Sequence, residues 1–167
     1  MPRRLPFLLL AVAAACGGGG ATTTTVVATT ASLGADDIEI GTAAASADLL
    51  VRLVSVPAEA PCLLEVGVEL PAALALPATG RLQAATALPN LDGDFVGDRF
   101  VVMCGDAQNA AAGPLAVGPL FRLRLLPATP RQAGTYTVRL HNLRAATRHG
   151  DAVPVAATPA VIQVVVR

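Results

Sequence analysis

CLLEVGVEL, Cys62–Leu70, carries hydrophobic residues at every second position, with charged or small residues at most positions between them. From Leu64 to Leu70 the alternate residues are leucine or valine, whereas Glu65 and Glu69 fall at intervening positions. Successive side chains of an extended chain point to opposite sides, so this period of two predicts a β-strand with one buried face. The segment therefore predicts a sheet that packs its apolar side on a core and turns its glutamates outward.

The same alternation recurs towards the carboxyl end of the chain, in Phe121–Leu125 and in Thr135–Leu140, where Tyr136 is predicted to point inward. The other candidate strands are Ile38–Gly41, Leu49–Val56, Arg81–Thr86, Arg99–Cys104 and Val161–Val166. The prolines after Val56 fall between these runs or at their ends, where a missing N–H costs no ladder hydrogen bond. The spacing predicts an all-β fold, an antiparallel β-sandwich of about eight or nine strands.

The amino-terminal segment has the three parts of a secretory signal peptide. Met1–Arg4 is basic, Leu5–Ala15 is apolar, and the run ends in small residues. The run is shorter than the stretch of about 20 residues that a membrane-spanning helix needs. Ala13–Cys16 resembles a bacterial lipobox, which implies cleavage before Cys16 and attachment of a diacylglycerol to its thiol. The alternative is ordinary secretion, because Ala13 and Ala15 also satisfy the A-x-A cleavage rule.

The next segment, Gly17–Ser32, is rich in glycine and threonine and lacks charged and aromatic residues, so it cannot bury a core. We therefore expect a signal peptide at 1–15, a lipidated cysteine with a flexible tether at 16–35, and one folded domain at 36–167. The protein is expected to be exported and anchored by its lipid to the cell membrane or the outer membrane, with its domain outside the cytoplasm.

The composition argues against binding to nucleic acid. The formal net charge is +0, and all 12 basic residues are arginines spread along the chain without a basic patch. Two cysteines remain in the domain, Cys62 and Cys104, without the spacing of a zinc site. In an exported protein such a pair favours a disulfide. Two buried free thiols are the alternative.

The order of strands and turns resembles the cohesin-like domains. In this chain Leu49–Val56 is followed by Leu63–Leu70 and then by Pro71–Leu76, where the family often reads YDP..L.L. Gly118–Leu125 resembles the family's G.L..L.F strand, and Gly134–Leu140 resembles the G...L.L strand that follows it. The resemblance implies a jelly-roll sandwich related to some carbohydrate-binding modules. It also implies a non-catalytic module that binds a protein partner.

The densest acidic cluster of the chain is a candidate binding loop. It consists of Asn90, Asp92, Asp94, Phe95 and Asp98. Three carboxylates around an apolar tip suit a protein contact, and loops carry function more often than strands do. Alternatively, Phe95 folds back and plugs the end of the sandwich. No cofactor is expected. Calcium is the alternative at this cluster, although Phe95 stands where an EF-hand loop needs glycine.

The sequence favours a binding role over catalysis. It has no G-x-S-x-G motif for a hydrolase, and His141 and His149 are its only histidines. A carbohydrate-binding module is the main alternative, although glycan sites usually use aromatic platforms and the chain has no Trp and one Tyr. Phe95 and Phe100 are the aromatic candidates for that role. A purely structural envelope protein is the second alternative.

Overall fold

The computed structural model describes residues 29–108 and 113–167, which form two stacked β-sheets. The strands are β1 (Ala31–Ala35), β2 (Ile38–Ile40), β3 (Ala47–Ser55), β4 (Leu63–Glu69), β5 (Leu74–Ala75), β6 (Leu82–Ala84), β7 (Leu91–Val96), β8 (Arg99–Gly105), β9 (Gly118–Pro127), β10 (Gly134–Ala146), β11 (Val155–Ala157) and β12 (Val161–Val166). The described part of the chain contains no α-helix, and hence none long and apolar enough to cross a bilayer.

One sheet has the order β11-β1-β3-β9-β5, with β6 also paired to β9, and the other has the order β2-β12-β10-β4-β8-β7. Most neighbours are antiparallel, whereas β11 joins β1 and β2 joins β12 in parallel. The chain therefore passes repeatedly between the sheets, and the predicted all-β sandwich is confirmed. The strands outnumber the prediction because several of them have only two or three residues.

The core lies between the sheets and is built from the inward residues of the alternating strands. Phe100 and Phe121 are the largest of its fully buried side chains. On β4, the predicted inward residues Leu64, Val66 and Val68 are all fully buried. Burial of each such side chain contributes about 1.5–3 kcal/mol, and this burial is what sets the register of the strands.

The folded part begins earlier than the sequence predicts. β1 lies within the segment expected to be a tether, and its residues Ala31, Leu33 and Ala35 are buried. Its pairing with β3 and β11 explains why a sequence with so few large apolar residues forms a strand. The neighbouring strands supply its backbone hydrogen bonds and bury its side chains. The predicted boundary at Asp36 is therefore wrong by at least five residues. Cys16 and the expected signal peptide at 1–15 lie outside the described residues.

The predicted disulfide is not formed, because Cys62 and Cys104 are both free and buried. The register of the two strands explains this, since Cys104 faces Leu64 and Cys62 lies two residues away, ahead of β4. Diagonal neighbours in a sheet are about 7–8 Å apart. A disulfide needs Cα atoms within about 4.4–6.8 Å. Burial raises the pKa of the Cys104 thiol from 9.0 to about 12.

The predicted acidic loop is also not a loop. Leu91–Val96 forms β7, which pairs with β8 across a two-residue turn at Gly97 and Asp98. Gly97 has a φ of 66°, the left-handed conformation that a tight hairpin turn takes at its first central residue. The Asp and Gly residues of this segment have the composition of a turn, but pairing with β8 makes it an edge strand.

Candidate functional site

The outer surface of β10, β4, β8 and β7 is the candidate site, and we call it the front face. Its outward residues are Arg139, His141, Arg144, Leu63, Glu65, Gly67, Glu69, Arg99, Val101, Met103, Asp92, Asp94 and Val96. Four strands at the usual spacing make a surface about 14 Å wide. The outer surface of the other sheet, chiefly β3 and β9, is the back face.

The residues of the front face are aligned in rows by the strand register. One row runs from His141 through Gly67 and Val101 to Asp94. The next row runs from Arg144 through Glu65 and Met103 to Asp92 in the same way. Basic side chains therefore lie along β10, acidic ones along β4, apolar ones on β8 and acidic ones again along β7.

A β-bulge in β10 brings Arg144 onto this face. The register with β4 shifts between His141 and Arg144, and Asn142 takes a φ of 47°. Asparagine is one of the few residues that accept this conformation at low cost. The extra residue reverses the alternation, so that Leu143 packs against the core and Arg144 lies opposite Glu65.

The centre of the front face is flat because Gly67 has no side chain. A Cβ atom at Gly67 would lie 2.8 Å from the carbonyl oxygen of His141 and 3.3 Å from two atoms of its ring. The imidazole of His141 therefore lies over β4, in the space that a side chain at position 67 would occupy. The result is a level surface between the charged rows.

The charges of β10 and β4 lie opposite one another without forming ion pairs. Arg139 pairs in register with Glu69, and Arg144 with Glu65. Neither pair belongs to the ion pairs found among the described residues. These four side chains keep their charge available at the surface, where a partner of matching charge can approach them.

The apolar part of the face lies on β8 and β7. Met103 is 46% exposed and Val96 is 65% exposed, and Val101 between them is half-buried. Together with Asp92 and Asp94 they line a shallow depression of about 150 Å³. An exposed apolar patch bordered by charge is typical of a protein contact surface.

The back face differs because most of its charges are already paired. Arg124 Nε lies 3.1 Å from Asp48 Oδ1, and Arg52 forms an ion pair with Asp36. The exposed Val54 packs over Gly34, where a Cβ atom would lie 2.9 Å from its Cγ2. Arg122 is exposed and forms none of the ion pairs of the described residues.

The structure distributes the predicted acidic cluster over several environments. Asp92 and Asp94 lie on the front face at its β7 edge. Asp98 lies in the hairpin turn, 3.6 Å from Arg99 Nε. Asn90 lies ahead of β7, where its side-chain amide donates to Asp106 Oδ2 at 3.1 Å. In the described residues no three His, Cys, Asp or Glu side chains are placed to hold a metal ion.

Phe95 points towards the core rather than outward, although the residue is 48% exposed. The ring meets Phe100 edge to face, with centroids 5.2 Å apart. The guanidinium of Arg81 lies 5.9 Å from the centroid of Phe95 and 5.2 Å from that of Phe100. Phe95 therefore closes the rim of the sandwich only in part. It is neither a fully exposed contact residue nor a fully buried plug, the two roles predicted from the sequence.

The aromatic residues of the described chain do not form a platform for a sugar ring. Phe100 and Phe121 are fully buried, and Phe95 is held at the rim. Tyr136 is half-buried and packs against the core, and its hydroxyl donates to the carbonyl oxygen of Gln132 at 3.0 Å. The structure therefore gives the carbohydrate-binding alternative no support.

Sequence reasoning missed most residues of the front face. It placed Glu65 and Glu69 outward, but it treated Met103 and Arg139 only as members of strands. Alternation shows which residues of a strand point outward, and it does not show which strands become neighbours. The rows depend on pairings between segments far apart in sequence.

Comparison with solved structures finds the same architecture in cohesin modules. A non-cellulosomal cohesin from the archaeon Archaeoglobus fulgidus is 14% identical, with a TM-score of 0.61 over 83% of this chain and 91% of that one. The sixth cohesin of Acetivibrio cellulolyticus scaffoldin B is 14% identical, with a TM-score of 0.67 over 83% of this chain and 100% of that one. The chain has the cohesin fold.

A third structure extends this likeness to a cohesin that is part of an enzyme. The cohesin module of a Clostridium perfringens family 33 glycoside hydrolase is 10% identical, with a TM-score of 0.66 over 84% of this chain and 98% of that one. No protein-family model matches the sequence, and no curated protein matches it. At these identities the likeness establishes the cohesin fold, and function has to be argued from the surface.

Proposed function

We propose that this chain is a non-catalytic protein-binding module that holds its partner on the front face. The observation that carries the proposal is the contrast between the two outer surfaces. The front face keeps unpaired charges beside exposed apolar side chains, whereas most charges of the back face neutralise one another within the chain. Apolar side chains at the centre of an interface supply affinity, and charges at the rim supply specificity and rate.

The comparisons support a partner of the dockerin class. The scaffoldin B cohesin was solved in complex with a Cel5 dockerin, and a further neighbour is a cohesin–dockerin complex of Clostridium thermocellum. The charge pattern of the front face indicates which groups the binding surface of such a partner carries. We expect acidic groups opposite Arg139 and Arg144, and an aliphatic side chain over Met103.

We also propose that a lipid on Cys16 anchors the module outside the cytoplasm. The support is the basic start, the short apolar run and the Ala-Ala-Ala-Cys junction. β1 begins at Ala31, whose N–H donates to the carbonyl oxygen of Pro154 at 2.8 Å, at the end of the sandwich away from the Gly97 turn. An anchor attached there leaves the front face at the side of the module, open to a partner.

The test compares two matched charge reversals. Arg139 and Arg122 are both exposed arginines on long strands, one on the front face and one on the back face. Dockerin modules encoded in the same genome serve as probes in a direct binding assay. Envelope proteins retained by the immobilised chain serve as additional probes.

We expect Arg139→Glu to weaken binding about tenfold, which corresponds to about 1.4 kcal/mol, and Arg122→Glu to leave it unchanged. Equal effects of the two reversals, or an effect of Arg122→Glu alone, would contradict the placement of the site. Hydrolysis of a polysaccharide or ester by the purified chain would contradict a non-catalytic role.

A further inference from the structure

β7 is the longest edge strand of the sandwich. It has six residues, whereas the other edge strands, β2, β5, β6 and β11, have two or three. An open edge presents unpaired N–H and C=O groups, to which a strand of another molecule can pair. Phe95 and Val96 add exposed apolar surface at this edge. Of all the edges described, β7 is therefore the one at which uncontrolled pairing is most favourable.

The pairing with β8 determines which backbone groups of β7 face outward. Opposed residues of an antiparallel pair alternate between hydrogen-bonded and non-hydrogen-bonded pairs. Val96 and Arg99 close the two-residue turn and form a hydrogen-bonded pair. Counting back from this pair, Phe95, Gly93 and Leu91 are in non-hydrogen-bonded positions. Their N–H groups consequently point away from β8, along the open edge.

Two of these three N–H groups, those of Gly93 and Phe95, are already bonded, each to the aspartate that precedes it. The N–H of Gly93 donates to Asp92 Oδ1 at 2.8 Å, and the N–H of Phe95 donates to Asp94 Oδ1 at 2.8 Å. The carbonyl oxygen of Gly93 accepts from Arg81 Nη2 at 3.2 Å, and the same nitrogen lies 3.3 Å from Asp94 Oδ1. Side chains thus occupy three of the groups that a pairing strand would need, all of them at Gly93 and Phe95.

We propose that Asp92 and Asp94 cap the open edge of β7 and so prevent it from pairing with β7 of a second copy of this chain. Within Asp92–Phe95 a carboxylate stands immediately before each of the two outward N–H groups, as this role requires. Two of the usual protections are missing here, since the chain has no lysine and β7 contains no proline. With strand addition blocked, side-chain contacts on the front face remain the way to bind this sheet.

The role of the caps can be separated from that of their charge by two double variants. Asp92→Ala with Asp94→Ala removes the acceptors and the charges. Asp92→Asn with Asp94→Asn removes the charges but keeps an oxygen in each capping position. Both are made in the full chain carrying Cys16→Ser, which accepts no lipid, and are compared with Cys16→Ser alone by sedimentation velocity over a range of concentrations.

We expect the parent and the asparagine variant to remain monomeric and the alanine variant to self-associate with increasing concentration. A monomeric alanine variant would overturn the proposal. Equal association of the alanine and asparagine variants would overturn it as well, because charge alone would then keep the edges apart.

Single variants test each cap within one molecule and keep the proposal testable if the double alanine variant does not fold. Asp92→Ala should lower the hydrogen-exchange protection of the Gly93 amide about fivefold, the effect of one net hydrogen bond, and leave that of Phe95 unchanged. Asp94→Ala should have the reverse effect. Unchanged protection of both amides in both variants would show that the carboxylates do not cap the edge.

Discussion

Phe95→Ala is expected to lower the free energy of unfolding by about 2 kcal/mol. Replacing a fully buried phenylalanine by alanine costs about 3–5 kcal/mol. Phe95 is 48% exposed, so about half of that cost applies. The resulting range is about 1.5–2.5 kcal/mol, with about 2 kcal/mol at its middle. The edge-to-face contact with Phe100 is one of the interactions that are lost.

The matched control is Val96→Ala, at the next residue of the same strand. Val96 is 65% exposed and points to the front face, so its replacement should change stability by less than about 0.5 kcal/mol. The two variants should also differ in their effect on binding. Because Val96 borders the apolar depression, Val96→Ala should weaken partner binding, whereas Phe95→Ala should leave it nearly unchanged.

Urea unfolding followed by circular dichroism measures the stability of both variants. With a slope of about 2 kcal/mol per molar urea, the loss for Phe95→Ala moves the midpoint by about 1 M. A loss no larger than that of Val96→Ala would show that the ring is not packed on Phe100. A loss above about 4 kcal/mol would show a fully buried ring. Either result would refute the conclusion that the ring of Phe95 is partly buried against Phe100 at the rim of the sandwich.

Other expected outcomes concern the cysteines and one glycine. Because burial raises the pKa of Cys104 from 9.0 to about 12, the folded state holds its proton more tightly, and stability should fall as the pH rises through that interval. In Cys104→Ala the urea midpoint should no longer fall with rising pH over this interval. An unchanged fall would show that another group causes the pH dependence. Gly105 has a φ of 90°, and a Cβ atom there would collide with the carbonyl of Cys62. Gly105→Ala should therefore cost about 3 kcal/mol in thermal unfolding, whereas Gly41→Ala, with open space around it, should cost little. Equal costs would contradict this. Cys16→Ser should abolish labelling by a fatty-acid probe, and equal labelling of both forms would disprove lipidation at Cys16.

The strands that could be predicted from sequence are those whose alternation reflects burial of one face. β4, β9, β10 and β12 are of this kind, because large apolar residues at every second position have no other stable placement. β1 was missed because its inward residues include two small alanines in a threonine-rich context. β7 was missed because its aspartates and glycine resemble a turn, and its strand conformation depends on pairing with β8.

The candidate site was less predictable than the fold because it depends on register. The aspartates of β7 form a cluster in the sequence that predicts a binding loop, yet Asp92 and Asp94 bond to the backbone of their own strand. The disulfide failed for a related reason, since Cys104 faces Leu64 rather than Cys62. A shift of two residues between strands is invisible in the spacing of cysteines along the chain.

The most direct test of the central claim is to map the partner on methyl groups of the two outer surfaces by NMR. Met103 and Val96 report on the front face, and Val54, which is 51% exposed, reports on the back face. When a dockerin-class partner that binds the chain is added stepwise, we predict that the methyl signals of Met103 and Val96 shift or broaden while those of Val54 stay in place. Changes confined to Val54, with Met103 and Val96 unaffected, would contradict the assignment of the front face as the binding surface.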